Sequence, residues 1–220
     1  MDLAASVQAV TEEIVFRMAR YARDLTGLPN LCLAGGVALN CVANGKLLHE
    51  KIFDRIWVQP AAGDAGGALG AAVFVHHQLL EQERKVDPGD SMAGSLLGPK
   101  HENADIRKFL QDKMIPHHLL EDEEDLLDKV AAAIASEKVV GWFQGRMEFG
   151  PRALGSRSII GDARSEKMQS QMNLRIKFRE SFRPFAPSVL REDVGKYFEL
   201  DEESPYMLLV APVSEDIRVP

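Results

Sequence analysis

The chain has 220 residues and a net charge of −7, with 45% hydrophobic and 27% charged residues. This composition is typical of a soluble globular protein with one large domain or two small ones. The acidic balance argues against general nucleic-acid binding, and no apolar run approaches the ~20 residues of a membrane span. We therefore expect neither a nucleic acid nor a membrane as a partner. The N-terminus lacks a signal-like segment, which predicts a cytoplasmic protein, and Cys32 and Cys41 are expected to be buried free thiols.

The first part of the chain alternates between helix and strand. Apolar residues at steps of three and four predict an amphipathic helix that ends near Gly27, and short apolar runs predict buried strands. The predicted elements are a helix over 2–25, a strand over 31–34, a helix up to about 50, a strand over 55–58 and a helix over 65–83. This alternation predicts an α/β fold.

Gly35 and Gly36 come directly after the first predicted strand. A strand, a glycine pair and a helix start form a turn whose backbone N–H groups can face an anion or a nucleotide. We expect Asn40, on the following helix, to reach back toward this turn. A glycine pair is also common in an ordinary tight turn, so both interpretations stay open on spacing alone.

Asp64 is the one carboxylate in a glycine-rich loop over 59–67, directly after the second predicted strand. Aspartate is a favoured helix N-cap residue, and that is the simpler interpretation. The alternative is a metal or nucleotide ligand, because open α/β sheets place their sites at the carboxyl ends of strands.

The second part of the chain begins after residues 85–103, whose prolines and glycines and weak periodicity predict a linker. The elements predicted beyond it are helices over 105–113, 121–136, 166–176 and 192–198, and strands over 138–143, 157–162 and 206–211.

Residues 145–187 form a basic segment within an acidic chain. They hold nine of the 26 basic residues and four of the 33 acidic ones, a net +5, so the remainder carries −12. Arginine forks suit phosphate and carboxylate oxygens, and glycine lets the backbone approach a ligand closely. The simpler interpretation is a solvated basic surface, but the tight alternation of arginine and glycine favours a local anionic ligand.

Two blocks of this sequence resemble the O-carbamoyltransferase family of nodulation-factor and antibiotic biosynthesis. The first is LAGGVALNCVANGKL, with QPAAGDAGGALGAA downstream of it. The second is GRMEFGPRALGSRSIIGDAR, with NLRIKFRESFRPFAP downstream of it. Together they span most of 31–190 in the family's order, and GRMEFGPRALG and FRPFAP are the most specific strings. One departure is Asp162-Ala163-Arg164, where the family usually has Asp-Pro-Arg.

The resemblance implies a partial actin-like ATPase domain over 1–84, a linker over 85–103, and a partial α/β carbamoyl-adenylate-forming domain over 104–220. In such enzymes carbamoyl phosphate and ATP react at the second domain. The carbamoyl group then passes to a sugar-containing acceptor at the actin-like domain. The implied cofactors are ATP, Mg²⁺ and Fe²⁺ or a similar divalent metal.

The resemblance also implies roles for individual residues. The catalytic, phosphate-binding set would be Lys177, Arg183 and Arg152, with further phosphate-binding residues in Arg146 and Glu148. The nucleotide-binding turn would be Gly35, Gly36 and Asn40, and the metal ligand Asp64. For Asp64 the resemblance makes the ligand interpretation the favoured one.

The family's other metal ligands are two histidines in an H-x-x-x-H motif, a spacing that these 220 residues lack. We therefore expect an internal piece of a larger enzyme, cut through both domains, that forms homo-oligomers to cover its exposed edges and apolar faces. One alternative is a non-catalytic nucleotide-binding or assembly module on the same scaffold. An actin-like ATP-dependent kinase is a third hypothesis, but it does not account for GRMEFGPRALG.

Overall fold

The structure is a computed structural model that describes residues 2–86 and 88–218. It is mixed α/β, as the sequence predicts. The helices are α1 Asp2–Thr26, α2 Cys41–His49, α3 Asp64–Phe74, α4 Asn103–Asp112, α5 Glu123–Ala135, α6 Met168–Gln171 and α7 Val194–Tyr197. The strands are β1 Asn30–Leu33, β2 Arg55–Val58, β3 Val140–Phe143 and β4 Arg157–Ile160. None of the helices within the described residues is both long and apolar enough to cross a membrane.

Contacts divide the chain into two compact units. The first unit holds the residues up to Ser95, Phe149–Arg152 and those from Val189 onward, and the second holds Leu96–Glu148 and Ala153–Ser188. Units defined by contacts within the structure need not coincide with the domains that the family resemblance implies. The domain boundaries at 84 and 103 therefore stay a prediction.

The first unit is built on a parallel pair of strands. β1 and β2 pair with Asn30 opposite Arg55 and Leu33 opposite Val58. Parallel neighbours need a crossover connection, which α2 and the turn before it supply. Two apolar clusters pack against this pair, and their buried members are Ala38, Val58, Ala62 and Leu208 in one and Ala19, Leu47 and Phe53 in the other. The carboxyl ends of β1 and β2 therefore lie side by side.

The expected burial of the cysteines is wrong, although both are free thiols. Cys32 is exposed and Cys41 is partly buried. Leu31 and Leu33 pack against the Ala19 cluster, and successive side chains of a strand point to opposite faces. Cys32, between them, therefore lies on the open face of the sheet.

The predicted last strand, 206–211, is also wrong. These residues are all described and lie in no strand, but pack against α2. Val210 N–H donates to Cys41 O at 3.2 Å, and the buried Asn44 donates from Nδ2 to Leu208 O at 3.0 Å. The approach is so close that a Cβ on Gly45 would lie 2.1 Å from Val210 O. Packing on a helix, rather than a strand ladder, satisfies this apolar run.

In the second unit, β3 and β4 pair antiparallel, with Val140 opposite Ile160. Both strands were expected from sequence, as was a helix over 166–176. That helix begins as α6 and continues as a π-helical turn over Met172–Ile176. In the first unit α3 also passes into a π-helical turn, Val75–Leu79, so the helix expected over 65–83 ends early.

Candidate functional site

The turn after β1 is tied to the loop after β2. Gly35 has a φ of +93° and donates its N–H to Ala62 O at 2.7 Å. Glycine suits such a left-handed φ because it has no Cβ. A 3-10 turn over Gly36–Leu39 follows at once, with Gly36 exposed at its start. Open α/β proteins place ligands where strand ends meet in this way.

Asn40 does not reach back to this turn as expected. It is the N-cap of α2, and its Oδ1 accepts from Ala43 N–H at 3.1 Å. Its Nδ2 donates to Gln8 Oε1 at 2.9 Å. The side chain therefore joins α2 to α1, and its nucleotide-binding role stays a prediction.

Asp64 is the first residue of α3, and the N-cap position belongs to Gly63, without a side-chain cap hydrogen bond. The simple N-cap interpretation of Asp64 is therefore not what the structure shows. The side chain is exposed at the positive end of the helix. Within 2–86 and 88–218, no three or more histidine, cysteine, aspartate or glutamate residues cluster closely enough to hold a metal ion. The ligand role of Asp64 stays a prediction.

Lys177 and Arg183 both lie in the second unit and both are exposed. Lys177 follows the π-helical turn and donates its N–H to Met172 O at 2.9 Å. Arg183 forms an ion pair with Glu180 at 2.9 Å, on side chains that are 52% and 55% exposed. An ion pair this exposed contributes little stability and can exchange for an anionic ligand. Both cationic heads are thus accessible to a phosphate.

Arg146 and Glu148 differ sharply in their surroundings. Arg146 is exposed and donates from Nη1 to Gly98 O at 3.0 Å. Glu148 is only 6% exposed, and one oxygen, Oε1, accepts from Leu154 N–H at 2.8 Å and Ser156 N–H at 2.6 Å. Burial acts to raise the pKa of Glu148, but these and further backbone N–H donors outweigh it and hold the pKa below 4.5. Backbone N–H groups thus bind the carboxylate of Glu148. Its part in phosphate binding stays a prediction.

Arg152 belongs to the first unit, so the predicted set of Lys177, Arg183 and Arg152 does not fall within one unit. Its Nη2 donates to Leu39 O at 3.5 Å, a long hydrogen bond. Its Nε is buried and has no hydrogen-bond partner among the described residues. An unpaired buried donor costs free energy, and nothing among the described residues offsets this cost, so the phosphate-binding role of Arg152 stays a prediction.

Sequence reasoning missed two polar groups of the second unit. Asn173 is fully buried and bonds to the backbone of the segment that carries Arg183. Asp162 is 8% exposed, and its carboxylate accepts from Arg164 Nε and Nη2 at 2.9 and 2.7 Å. The Arg164 side chain lowers the pKa of Asp162 to about 2. A polar residue among apolar neighbours, as in Met172-Asn173-Leu174, was the available signal.

Comparison with known families gives two matches. Residues 1–73 match the family model described as carbamoyltransferase N-terminus, and residues 131–219 match the one described as carbamoyltransferase C-terminus.

Curated relatives match nearly the whole chain. An uncharacterized protein of Synechocystis sp. is 62% identical over 100% of this chain and 36% of its own length. Nodulation protein NolO of Bradyrhizobium diazoefficiens is 43% identical, over 97% of this chain and 39% of its own length. The 3'-hydroxymethylcephem-O-carbamoyltransferase of Streptomyces clavuligerus is 33% identical, over 96% of this chain and 38% of its own length. The chain thus spans little more than a third of these relatives.

Proposed function

Because the chain belongs to the carbamoyltransferase family, we propose that it is part of an ATP-dependent O-carbamoyltransferase. The observation that carries this proposal is the exposed pair Lys177 and Arg183, in the second unit and in the segment with net +5. A chain of net charge −7 that concentrates cations in one segment is suited to an anionic substrate there.

The proposed reaction forms carbamoyl-AMP. Water takes the phosphate from carbamoyl phosphate, the carbamate oxygen then attacks the α-phosphorus of ATP, and pyrophosphate leaves. The reactants and products are all anions, so the site needs fixed cations aimed at developing charge. Lys177 would act as a point charge and Arg183 as a two-pronged donor to phosphate oxygens. Arg146 would add charge in the same unit, whereas the phosphate-binding role of Arg152, which belongs to the first unit, rests on the family resemblance alone.

Transfer of the carbamoyl group to a sugar-type hydroxyl, with release of AMP, is proposed for the first unit. We propose that this unit is part of an actin-like domain, whose nucleotide would lie at the turn of Gly35 and Gly36. The exposed Asp64 at the start of α3, whose side chain has no partner among the described residues, suits a divalent cation, Mg²⁺ or Fe²⁺, as one of its ligands. When bound, such a cation would polarise the carbamoyl carbonyl as a Lewis acid.

The experiment places these 220 residues in a protein of the relatives' length. The Synechocystis protein matches the whole chain, so its matching segment can be replaced. We expect the hybrid to exchange labelled pyrophosphate into ATP only when carbamoyl phosphate is present. Arg183→Ala should abolish the exchange, whereas Arg107→Ala, an exposed arginine of α4 in the same unit, should not. Exchange that ignores carbamoyl phosphate, or that survives in Arg183→Ala, would contradict the proposal.

A second candidate function, assembly without catalysis, is favoured by the surface of α1. One face of this helix carries large apolar side chains at steps of three and four, and each is more than half exposed: Leu3, Val7, Val10, Ile14, Met18, Tyr21 and Leu25. A row of exposed large apolar side chains along one helix face is typical of an interaction surface. The spacing is symmetric about Ile14. In an antiparallel pair of copies with a two-fold axis at Ile14, each apolar residue of one helix would therefore lie opposite an apolar residue of the other, as Val10 opposite Met18.

Self-association is tested with Ile14→Glu, at the centre of that face. We expect the wild-type chain to form a dimer or larger oligomer in light scattering after gel filtration, and the variant to be a monomer with the same helix content. Ala9→Glu, at an exposed position of the same helix outside this face, should leave the oligomer intact. A monomeric wild type would remove this candidate.

A further inference from the structure

Asn173 lies at the second position of the π-helical turn Met172–Ile176 and is completely buried. A buried carboxamide needs partners for its oxygen and its nitrogen. All of the partners it has come from one downstream stretch. Oδ1 accepts from Arg179 Nε at 2.6 Å, and Nδ2 donates to Ser181 O at 3.1 Å and to Arg183 O at 2.7 Å. The amide therefore holds a stretch that has no helix or strand of its own.

Gln169 adds a second hold, one helical turn earlier. Residues four apart lie on the same face of a helix. Its Nε2 donates to Arg183 O at 3.1 Å and to Phe182 O at 3.3 Å. The carbonyl of Arg183 thus accepts from two side-chain amides. Gln169 itself is exposed, so it can be changed without creating a buried cavity.

These contacts hold the backbone and leave the cationic side chains of Lys177 and Arg183 exposed, Arg183 in its surface ion pair with Glu180. Asn173 O also accepts from Arg179 N–H at 3.0 Å, and Lys177 N–H bonds to Met172 O, so both ends of 177–183 are attached to the same turn. The ammonium of Lys177 and the guanidinium of Arg183 remain exposed at the surface. A ligand that binds them pays little for ordering the backbone, which is how preorganisation raises affinity.

We propose that Asn173, assisted by Gln169, is a positioning residue that holds 177–183 as a preformed anion-binding arm. Asn173 is buried, acts through the backbone and touches no phosphate. This inference deepens the proposed function and rests on it, because the arm has a purpose only if Lys177 and Arg183 bind phosphate.

The experiment compares Asn173→Asp and Gln169→Ala with the wild-type 220-residue chain. Asn173→Asp keeps the size of the side chain and the acceptor for Arg179 but removes both donors to the arm. Asn103→Asp, the same change at an exposed residue of the same unit, is the matched control. Pyrophosphate affinity is measured calorimetrically at a temperature where circular dichroism shows all variants folded. We expect Asn173→Asp to bind at least about tenfold more weakly and Gln169→Ala to fall in between.

A second measurement does not depend on the proposed function. Trypsin can cleave after Lys177 and Arg179, inside the arm, and we expect cleavage there to be about tenfold faster in Asn173→Asp than in Asn103→Asp, because a released backbone is cleaved through its open state. If the wild type binds no pyrophosphate while the cleavage difference is present, the proposed anion site fails and the holding role of Asn173 stands. If Asn173→Asp is cleaved no faster, or binds pyrophosphate as tightly as the wild type, Asn173 does not position the arm and the inference is overturned.

Discussion

Replacing Glu148 by glutamine tests whether a buried carboxylate closes the loop that carries the GRMEFGPRALG motif. The side chain is 6% exposed, and Oε1 accepts from Leu154 N–H and Ser156 N–H. Glutamine keeps the size and an acceptor oxygen but loses the negative charge. Hydrogen bonds to a charged acceptor are worth about 1.5–3 kcal/mol and neutral ones about 0.5–1.5, so each bond should lose about 1 kcal/mol.

The expected cost of Glu148→Gln is therefore about 2 kcal/mol for these two bonds. Glu148→Ala leaves both N–H groups without a partner, at about 1–3 kcal/mol each, and should cost about 4 kcal/mol. The order of stability is thus wild type, then glutamine, then alanine. The exposed Glu121, also in the second unit, supplies the control: Glu121→Gln should change the free energy of unfolding by less than about 0.5 kcal/mol.

The assay is urea unfolding followed by tryptophan fluorescence. The chain has two tryptophans, Trp57 in β2 and Trp142 in β3. In a Trp57→Phe background, Trp142 reports on the second unit alone. The free energy of unfolding is then obtained from the midpoint and slope of the transition.

The pH dependence of stability tests whether the charge of Glu148 causes the difference between the wild type and Glu148→Gln. The pKa of Glu148 is lower in the folded chain than its ordinary 4.5, so its charge stabilises the fold above that pH. This stabilisation should be lost as the pH falls through the folded pKa, and the wild type should then approach Glu148→Gln. A difference between the two that is absent at pH 7, or that is as large in acid as at neutral pH, would refute the reasoning.

Three further predictions concern the proposed chemistry. In a protein of the relatives' length, Asp64→Asn should lower the bound metal and carbamoyl transfer while leaving carbamoyl-AMP formation intact, since only the first unit loses a ligand. Metal analysis showing no loss would leave Asp64 as an ordinary helix-start residue. Arg183→Lys should slow carbamoyl-phosphate-dependent ATP–pyrophosphate exchange by at least about tenfold, or ~1.4 kcal/mol, because a point charge does not replace the two-pronged guanidinium. Exchange at the normal rate in Lys177→Ala would count equally against the site. The 220-residue chain alone, incubated with ATP, carbamoyl phosphate, Mg²⁺, Fe²⁺ and a sugar acceptor, should give no carbamoylated sugar. Robust product by mass spectrometry would show that these residues suffice.

Local patterns predicted most elements of the chain. Apolar periodicity located α1 within one residue at each end, and the strands near 31, 55, 140 and 157 were also expected. These predictions succeeded because the apolar period of a helix or strand is visible in the residues of that element itself. The expected strand over 206–211 failed because its partner, α2, lies far away along the chain. Asn44 and Leu208, which bond to each other, are separated by 164 residues.

The candidate site divides in the same way. The sequence by itself determined the family, the basic segment and the residue types that suit phosphate and metal, because these depend on composition and motif. Only the tertiary structure decided that Glu148 is occupied by backbone N–H groups, that Arg152 groups with the first unit, and that Asn173 holds the arm of Arg183. Whether a polar side chain faces a ligand or the backbone depends on which unpaired groups folding brings within about 3 Å of it, and no local pattern contains that distance.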